Sequence, residues 1–124
     1  MLALLVPLAG CGGDDDKKDA EQTVRDFVTA LRERDVDTFC EDLLTKDFLG
    51  QVSGATGDNA QESCKRELKS VTGLQDIRLV KIDRTKVDGD EATVTAVIAR
   101  QGRRQKQVYR LKKEDGDWKL AGAS

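Results

Sequence analysis

The sequence predicts an α+β domain in which three N-terminal helices pack on a curved, four-stranded antiparallel meander. Apolar residues recur with a helical period from residue 19 to 73 and with a period of two from residue 75 onward. Three dipeptides suited to two-residue turns divide the second part into four segments. The length of 124 residues and the 38% share of hydrophobic residues fit one folded domain.

The N-terminus is an apolar, uncharged run over residues 1–9. As a helix this run would rise about 14 Å, less than half of a bilayer core, so it predicts an export signal rather than a membrane span. Leu8, Ala9, Gly10 and Cys11 resemble the lipobox of bacterial lipoproteins, in which an aliphatic residue and two small residues precede the cysteine. The resemblance implies that Cys11 is acylated and anchors the chain to membrane lipid, because two or more acyl chains hold stably.

The segment after Cys11 is strongly polar, with four aspartates and two lysines over residues 14–19. Such a run predicts a solvated spacer between the lipid and the domain. We therefore expect a signal peptide over 1–10, the lipidated cysteine and a linker over 11–18, and the folded domain over 19–124. The expected location is the extracytoplasmic face of the cell membrane.

Three cysteines occur in the chain, and lipidation of Cys11 leaves Cys40 and Cys64 as a pair. Oxidising conditions outside the cytoplasm favour a disulfide between them. Closing a loop of about 25 residues contributes roughly 3–4 kcal/mol in the chain-entropy model. Two buried free thiols are the alternative, and the C-x-x-C spacing that redox catalysis prefers is absent.

The first two helices are predicted from apolar residues at helical spacing and from capping residues. The first begins at Asp19, where Gln22 completes a capping-box-like start. Its apolar face consists of Val24, Phe27, Val28 and Leu31. The second covers Val36–Leu44, and Asp35 precedes it as the N-cap.

A loop rich in glycine, serine and threonine is predicted over Gly50–Asp58, before the third helix. That helix begins at Asn59 and ends near Gly73. Cys40 and Cys64 both fall on apolar stripes of neighbouring helices, where a bridge is geometrically reasonable.

Four strands follow. They are Asp76–Asp88, Glu91–Gln101, Arg104–Glu114 and Asp117–Ala121, with turns at Gly89-Asp90, Gly102-Arg103 and Asp115-Gly116. With two-residue turns throughout, Asp83 lies opposite Ala96, and Ala96 lies opposite Tyr109. The face that turns toward the helices then carries Val87, Val94, Ala96, Ile98, Tyr109, Leu111, Trp118 and Leu120.

The predicted helices come first, and a curved sheet follows that ends in Asp-Gly-Asp-Trp-Lys-Leu, residues 115–120. This arrangement resembles the nuclear-transport-factor-2-like fold, a cystatin-like α+β cone. More narrowly, the chain is similar to small lipoproteins of this fold from actinobacteria and related bacteria. Those proteins share an apolar stripe in the first helix, here Val24, Phe27, Val28, Ala30 and Leu31, and one cysteine in each of two later helices. The resemblance implies a pocket between the concave face of the sheet and the helices.

Enzymes and non-catalytic binding domains both occur in this fold. The pocket candidates are Phe27, Leu31, Phe48, Asp83, Ala96, Ile98, Tyr109 and Trp118. An isomerase- or cyclase-like enzyme would use Asp83 as the base and the Tyr109 hydroxyl to stabilise an enolate. Because this pair rests on one register and no motif, we favour a non-catalytic binding or accessory domain. Such a domain would hold a small apolar ligand or a protein partner.

A basic stretch near the third strand supports a further hypothesis. It contains Arg100, Arg103, Arg104, Lys106, Arg110, Lys112 and Lys113. On a lipid-anchored protein, such a face would gain on the order of 1 kcal/mol per cation near anionic lipid or wall polymer. The alternative is a solvated outer face that discourages edge pairing. A homodimer that forms through the exposed face of the sheet is a further alternative.

Composition excludes several other classes of function. The chain has no histidine, which removes the commonest general base and metal ligand. No carboxylate spacing matches a metal site, and no cofactor motif is present, so neither a metal nor a cofactor is expected. The net charge of −2 and the 4% share of aromatic residues argue against nucleic-acid binding.

Overall fold

The structure is a computed structural model, and it describes residues 13–124. Four helical segments come first: α1 (Gly13–Glu33), a π-helical turn (Thr38–Asp42), α2 (Lys46–Ser53) and α3 (Asp58–Ser70). Four strands follow: β1 (Arg78–Asp88), β2 (Glu91–Arg100), β3 (Arg103–Glu114) and β4 (Asp117–Ala123). The strands form one antiparallel sheet in the order β1-β2-β3-β4, and the helices pack on it. The predicted fold class is confirmed.

Helix α1 begins at Gly13 rather than at Asp19, so the prediction of a spacer is wrong for residues 13–18. The polar run is held to the sheet by Asp16. Its Oδ1 atom accepts a hydrogen bond from Trp118 Nε1 at 3.3 Å and lies 3.0 Å from Lys113 Nζ. Aspartates in a first turn also interact favourably with the positive end of the helix dipole.

The start of the second predicted helix is confirmed, because Asp35 Oδ1 accepts a hydrogen bond from the backbone N–H of Thr38 at 3.3 Å. The segment ends in the π-helical turn, which carries Cys40. A disulfide joins Cys40 to Cys64 in α3, with 5.9 Å between the two Cα atoms. Both cysteines are buried, so the predicted bridge ties two helical segments together inside the core.

Helix α2 lies partly where the sequence predicts a loop, and that prediction is wrong for residues 50–53. Thr45 is the N-cap, since its Oγ1 accepts a hydrogen bond from the backbone N–H of Phe48 at 3.1 Å. Gly54 ends the helix in the left-handed conformation, with φ at 71°, and donates its N–H to the carbonyl of Gly50. A threonine and a glycine nine positions apart are therefore the signal that the sequence offers for this helix.

The first and third hairpins start in the predicted register, with Val87 opposite Ala92 and Lys113 opposite Trp118. The middle hairpin differs. Its turn is Gln101-Gly102, so Tyr109 lies opposite Val94 instead of Ala96. Both turn residues have positive φ, 54° and 79°, which is the type I′ geometry that favours glycine in the second position.

This shift equals two residues, so every side chain of β3 keeps its predicted face. The inner face of the sheet is accordingly buried as expected under α1. The fully buried residues between the sheet and α1 are Val94, Ala96, Leu111 and Leu120 on the sheet and Val24 and Val28 on the helix. Residues 43–45 also bind the backbone of β4, where Thr45 donates to Leu120 and Leu120 donates to Leu43.

Candidate functional site

An apolar hollow of about 430 Å³ opens at the end of the sheet where α1 ends. Its walls come from α1, from the inner faces of β2 and β3, and from the segment before β1. The apolar lining residues are Phe27, Leu31, Ile77, Ile98, Tyr109 and Ala123. The polar residues around them are Arg100, Gln101, Arg103, Gln105 and Gln107.

The hollow exists because the β2–β3 hairpin continues past the last turn of α1. Along β3 the inner-facing positions change from buried Leu111 and Tyr109 to the half-buried Gln107 and the exposed Gln105 and Arg103. Helix α1, which covers Leu111 and Tyr109, ends at Glu33. The inner-facing positions 107, 105 and 103 of β3 therefore face an open space. A concave space with apolar walls and a few polar groups is the usual form of a small-molecule site.

Tyr109 is the polar group that lies deepest in this hollow. Its ring packs edge-on against Phe27 with 5.7 Å between the centroids, and Phe27 in turn lies 5.1 Å from Phe39. Burial raises the pKa of Tyr109 to about 12. The phenol therefore stays neutral at physiological pH and keeps a proton that it can donate.

The structure brings together part of the predicted pocket set. Phe27, Leu31, Ile98 and Tyr109 line the hollow. The other predicted members lie elsewhere: Ala96 deeper under α1, Phe48 on α2, and Trp118 against Asp16 and Lys113 near the start of α1.

Asp83 is not in the hollow, so its predicted position is wrong. The pairing of β1 with β2 shifts between Ile82 and Arg84, and this bulge leaves Asp83 without a partner opposite. The Asp83 carboxylate instead lies 3.5 Å from Lys81 Nζ and 3.5 Å from Lys106 Nζ. Lys81 and Lys106 lie opposite Val97 on either side of it, on the outer face of the sheet. The predicted pairing of Asp83 with Tyr109 in a catalytic pocket is therefore wrong.

The basic stretch does not form one surface, so that prediction is wrong in part. Arg104, Lys106, Arg110 and Lys112 occupy alternate, outer-face positions of β3. Arg100 and Arg103 lie on the inner face beside the hollow. Lys113 also lies inward, with its Nζ atom 5.4 Å from the centre of the Trp118 ring.

Sequence reasoning missed Ile77, Gln101, Gln105, Gln107 and Ala123 as lining residues, and it assigned Arg100 and Arg103 to a different surface. The usable signal is the Gln-Gly dipeptide at 101–102. Because a type I′ turn takes glycine second, this dipeptide sets the hairpin register that brings Arg100 opposite Arg103.

A larger depression, about 770 Å³, lies between α2 and α3. Much of its wall is the connecting segment 54–57, and exposed Lys46, Asp47 and Gln51 border it. It has no strand residue in its lining. The smaller hollow is the better candidate site, since it lies between the concave sheet and α1 and is lined by the aromatic side chains of Phe27 and Tyr109.

Two classes of site are missing from the part of the chain that the structure describes. No group of three acidic, cysteine or histidine side chains is placed to hold a metal ion there. No helix in that part has the length and apolar character needed to cross a membrane. The lipobox residues Leu8, Ala9, Gly10 and Cys11 lie outside the described residues.

Solved structures show which fold this arrangement represents. The chain is similar to a crystal structure described as "putative ketosteroid isomerase from Kribbella flavida DSM 17836", with a TM-score of 0.52 and 24% sequence identity over 86% of this chain and 77% of the other. A de novo designed NTF2 fold protein, NT-9, has a TM-score of 0.48 and 11% identity over 86% and 84% of the two chains. No protein-family model matches the chain, and no curated protein sequence is significantly similar to it. The likeness to the first of these structures, together with helices packed on a four-stranded antiparallel sheet, shows that the protein has the NTF2-like α+β cone fold.

Proposed function

We propose that the protein is a lipid-anchored, extracytoplasmic binding module that holds a small apolar ligand in the hollow between α1 and the sheet. The observation that carries this proposal is the hollow itself, about 430 Å³ in volume with apolar walls from Phe27, Leu31 and Ile98. Ligand sites typically have volumes of about 300–1,000 Å³. The NTF2-like fold commonly binds small hydrophobic ligands.

Two features support the proposed location. The bridge between Cys40 and Cys64 suits an oxidising compartment. The Leu-Ala-Gly-Cys pattern at residues 8–11 is typical of a lipidation signal. Mass spectrometry of the protein from membranes tests the anchor: we expect an N-terminal acylated Cys11, and an unmodified chain in the cytosol would contradict it.

Filling the hollow tests the binding function. We expect the full chain carrying Cys11→Ser to bind the neutral fluorescent probe N-phenyl-1-naphthylamine saturably. Leu31→Trp places a large ring at the hollow and should weaken the binding at least about tenfold, which corresponds to roughly 1.4 kcal/mol. Val52→Trp is the matched control, because Val52 is exposed on α2 and does not line the hollow. Equal binding by both variants would contradict the proposal.

The outer face of the sheet supports a second candidate function, binding to an anionic lipid or wall-polymer surface. Its basic residues are Lys81, Arg84, Lys86, Arg104, Lys106, Arg110, Lys112 and Lys119. Asp83 pairs with Lys81 and Lys106. Among the described side chains no carboxylate lies within 4.0 Å of the charged nitrogens of the other six. An anionic surface would complement this charge.

Vesicle binding tests this second candidate. The full chain carrying Cys11→Ser should bind vesicles that contain phosphatidylglycerol but not pure phosphatidylcholine vesicles, and salt should weaken the binding. Neutralising Arg84 and Lys86 to glutamine should reduce it. The control replaces Lys17 and Lys18, which are exposed on α1 rather than on the sheet. Binding that ignores lipid charge would rule the candidate out.

A further inference from the structure

The mouth of the hollow carries two arginines directly opposite each other. Arg100 ends β2, Arg103 begins β3, and the sheet register pairs them across the Gln101-Gly102 turn. Like charges in directly opposed positions destabilise an antiparallel pair. Both residues line the hollow, so the two arginines border the same open space.

These two arginines have no counter-ion of their own among the described residues. No carboxylate there lies within 4.0 Å of either guanidinium. Other cations do have such partners, for example Lys65 with Asp37 and Lys113 with Asp16. Among the residues that the structure describes, no aspartate or glutamate lines the hollow. The space therefore combines apolar walls with uncompensated positive charge at one side.

The surrounding groups complete a site that favours an anion over a cation. Gln105 donates an N–H to Gln107 Oε1 at 3.3 Å, and the Gln107 amide group keeps its own N–H donors beside the hollow. The Tyr109 phenol is a further neutral donor, and burial raises its pKa to about 12. Gly73 approaches this mouth so closely that a Cβ atom there would lie 3.8 Å from Arg100 Nη2. The Gly73 backbone thus packs beside the Arg100 side chain.

We infer that the ligand is an amphiphile with one carboxylate, whose apolar body fills the hollow and whose anionic group lies between Arg100 and Arg103. A guanidinium presents a planar fork that matches a carboxylate with two parallel hydrogen bonds. The walls of Phe27, Leu31 and Ile98 suit a hydrocarbon or aromatic body. This inference rests on the proposed function of the hollow and adds the charge of its ligand.

A matched pair of probes tests the charge requirement. Decanoate and 1-decanol have the same chain length and differ in the anionic group. We expect isothermal titration calorimetry with the full chain carrying Cys11→Ser to show decanoate binding at least about tenfold more tightly than decanol. Charge-assisted hydrogen bonds support a difference of this size.

Two variants distinguish binding of the carboxylate between Arg100 and Arg103 from a general attraction of the anion to basic residues. Replacing both Arg100 and Arg103 with glutamine should remove the preference for decanoate, so that the double variant binds decanoate no more tightly than decanol. Arg104→Gln is the control, since Arg104 is the next residue in the chain but lies on the outer face. It should leave both affinities unchanged. Circular dichroism and thermal unfolding show whether each variant is folded.

The outcomes distinguish this inference from the proposed function. If decanol binds as tightly as decanoate and the double variant changes nothing, the charge requirement is wrong while the apolar binding function stands. If Arg104→Gln weakens decanoate binding as much as the double variant, the anion is not held at the mouth. If neither probe binds and N-phenyl-1-naphthylamine also fails to bind, both proposals are wrong. If neither probe binds but the naphthylamine does, only the inference is wrong.

Discussion

Asp83 and Tyr109 illustrate how a one-residue shift in strand register determines which groups a side chain can contact. Without a bulge, alternation would place Asp83 on the inner face with Tyr109. The irregularity between Ile82 and Arg84 instead leaves the carboxylate beside Lys81 and Lys106 on the outer face. Bulges are frequent at sheet edges, and β1 is an edge strand.

Neutralising Asp83 should therefore have only a small effect. Asp83→Asn removes two ion pairs at 3.5 Å to lysines that are largely exposed, and such pairs contribute about 0–1 kcal/mol. We expect chemical unfolding to show a loss of no more than about 1 kcal/mol. Probe binding in the hollow should not change. A large loss of binding would place Asp83 in the site after all.

Tyr109 should ionise only at high pH. It is the one tyrosine of the chain, so the absorbance change on phenol ionisation reports on it alone. We expect a midpoint near 12 in the folded protein, compared with about 10 after unfolding. A raised pKa stabilises the fold below the unfolded value, so this contribution is lost as the pH rises from about 10 through 12. A midpoint near 10 in the folded chain would contradict the burial.

At the scale of elements, capping residues decide where the short helices begin and end. Helix α2 has only eight residues, which is too few for stability by propensity alone. Thr45 caps its start, and Gly54 permits the left-handed turn at its end. The backbone of Thr45 also donates to Leu120 in β4, so the cap joins the helical layer to the sheet.

Removing the cap should destabilise the protein measurably. Thr45→Ala deletes the hydroxyl that accepts from the Phe48 N–H, and we expect a loss of about 1 kcal/mol in the free energy of unfolding. Thr45→Ser keeps the hydroxyl and should recover most of this loss. Thr56→Ala, at an exposed position, is the control for a threonine outside the cap. Equal effects at the two positions would argue against the capping role.

At the scale of the whole molecule, the disulfide links parts of the helical layer that are far apart in sequence. Cys40 and Cys64 are separated by 24 positions and both lie in the core. A bridge of this kind acts mainly by restricting the unfolded chain. Its effect therefore belongs to the folding of the entire domain rather than to either helix.

Reduction should reveal this effect without any mutation. We expect urea unfolding in the presence of dithiothreitol to give a free energy lower by about 2–4 kcal/mol than under oxidising conditions. The change should disappear in a Cys40→Ala, Cys64→Ala double variant, which serves as the control. An unchanged midpoint in the wild-type chain would show that the bridge contributes little to stability.

The hollow lies near the end of α1 that is far from its first residue, Gly13. The helix begins at Gly13, two positions after Cys11 in the sequence, and its first turns lie beside Trp118. Leu31 reaches the hollow near the other end, and the intervening rise is about 27 Å.

The sequence by itself determined the fold class, the faces of β2, β3 and β4, and the choice of Cys40 and Cys64 as the candidate disulfide pair. These features follow from local periodicity and from the alternation of Val94, Ala96 and Ile98, which holds whatever the neighbouring strands do. The lipobox pattern is likewise a matter of short-range order. It stays a prediction, because residues 1–12 lie outside the described part of the chain.

Only the tertiary structure decided the start of α1 and the content of the site. Asp16 is held by Trp118, 102 positions further along the chain, and no local pattern reports such a contact. The bulge that moves Asp83 outward depends on how β1 and β2 meet. Register is a property of two strands at once, so the pattern of either strand alone does not specify it.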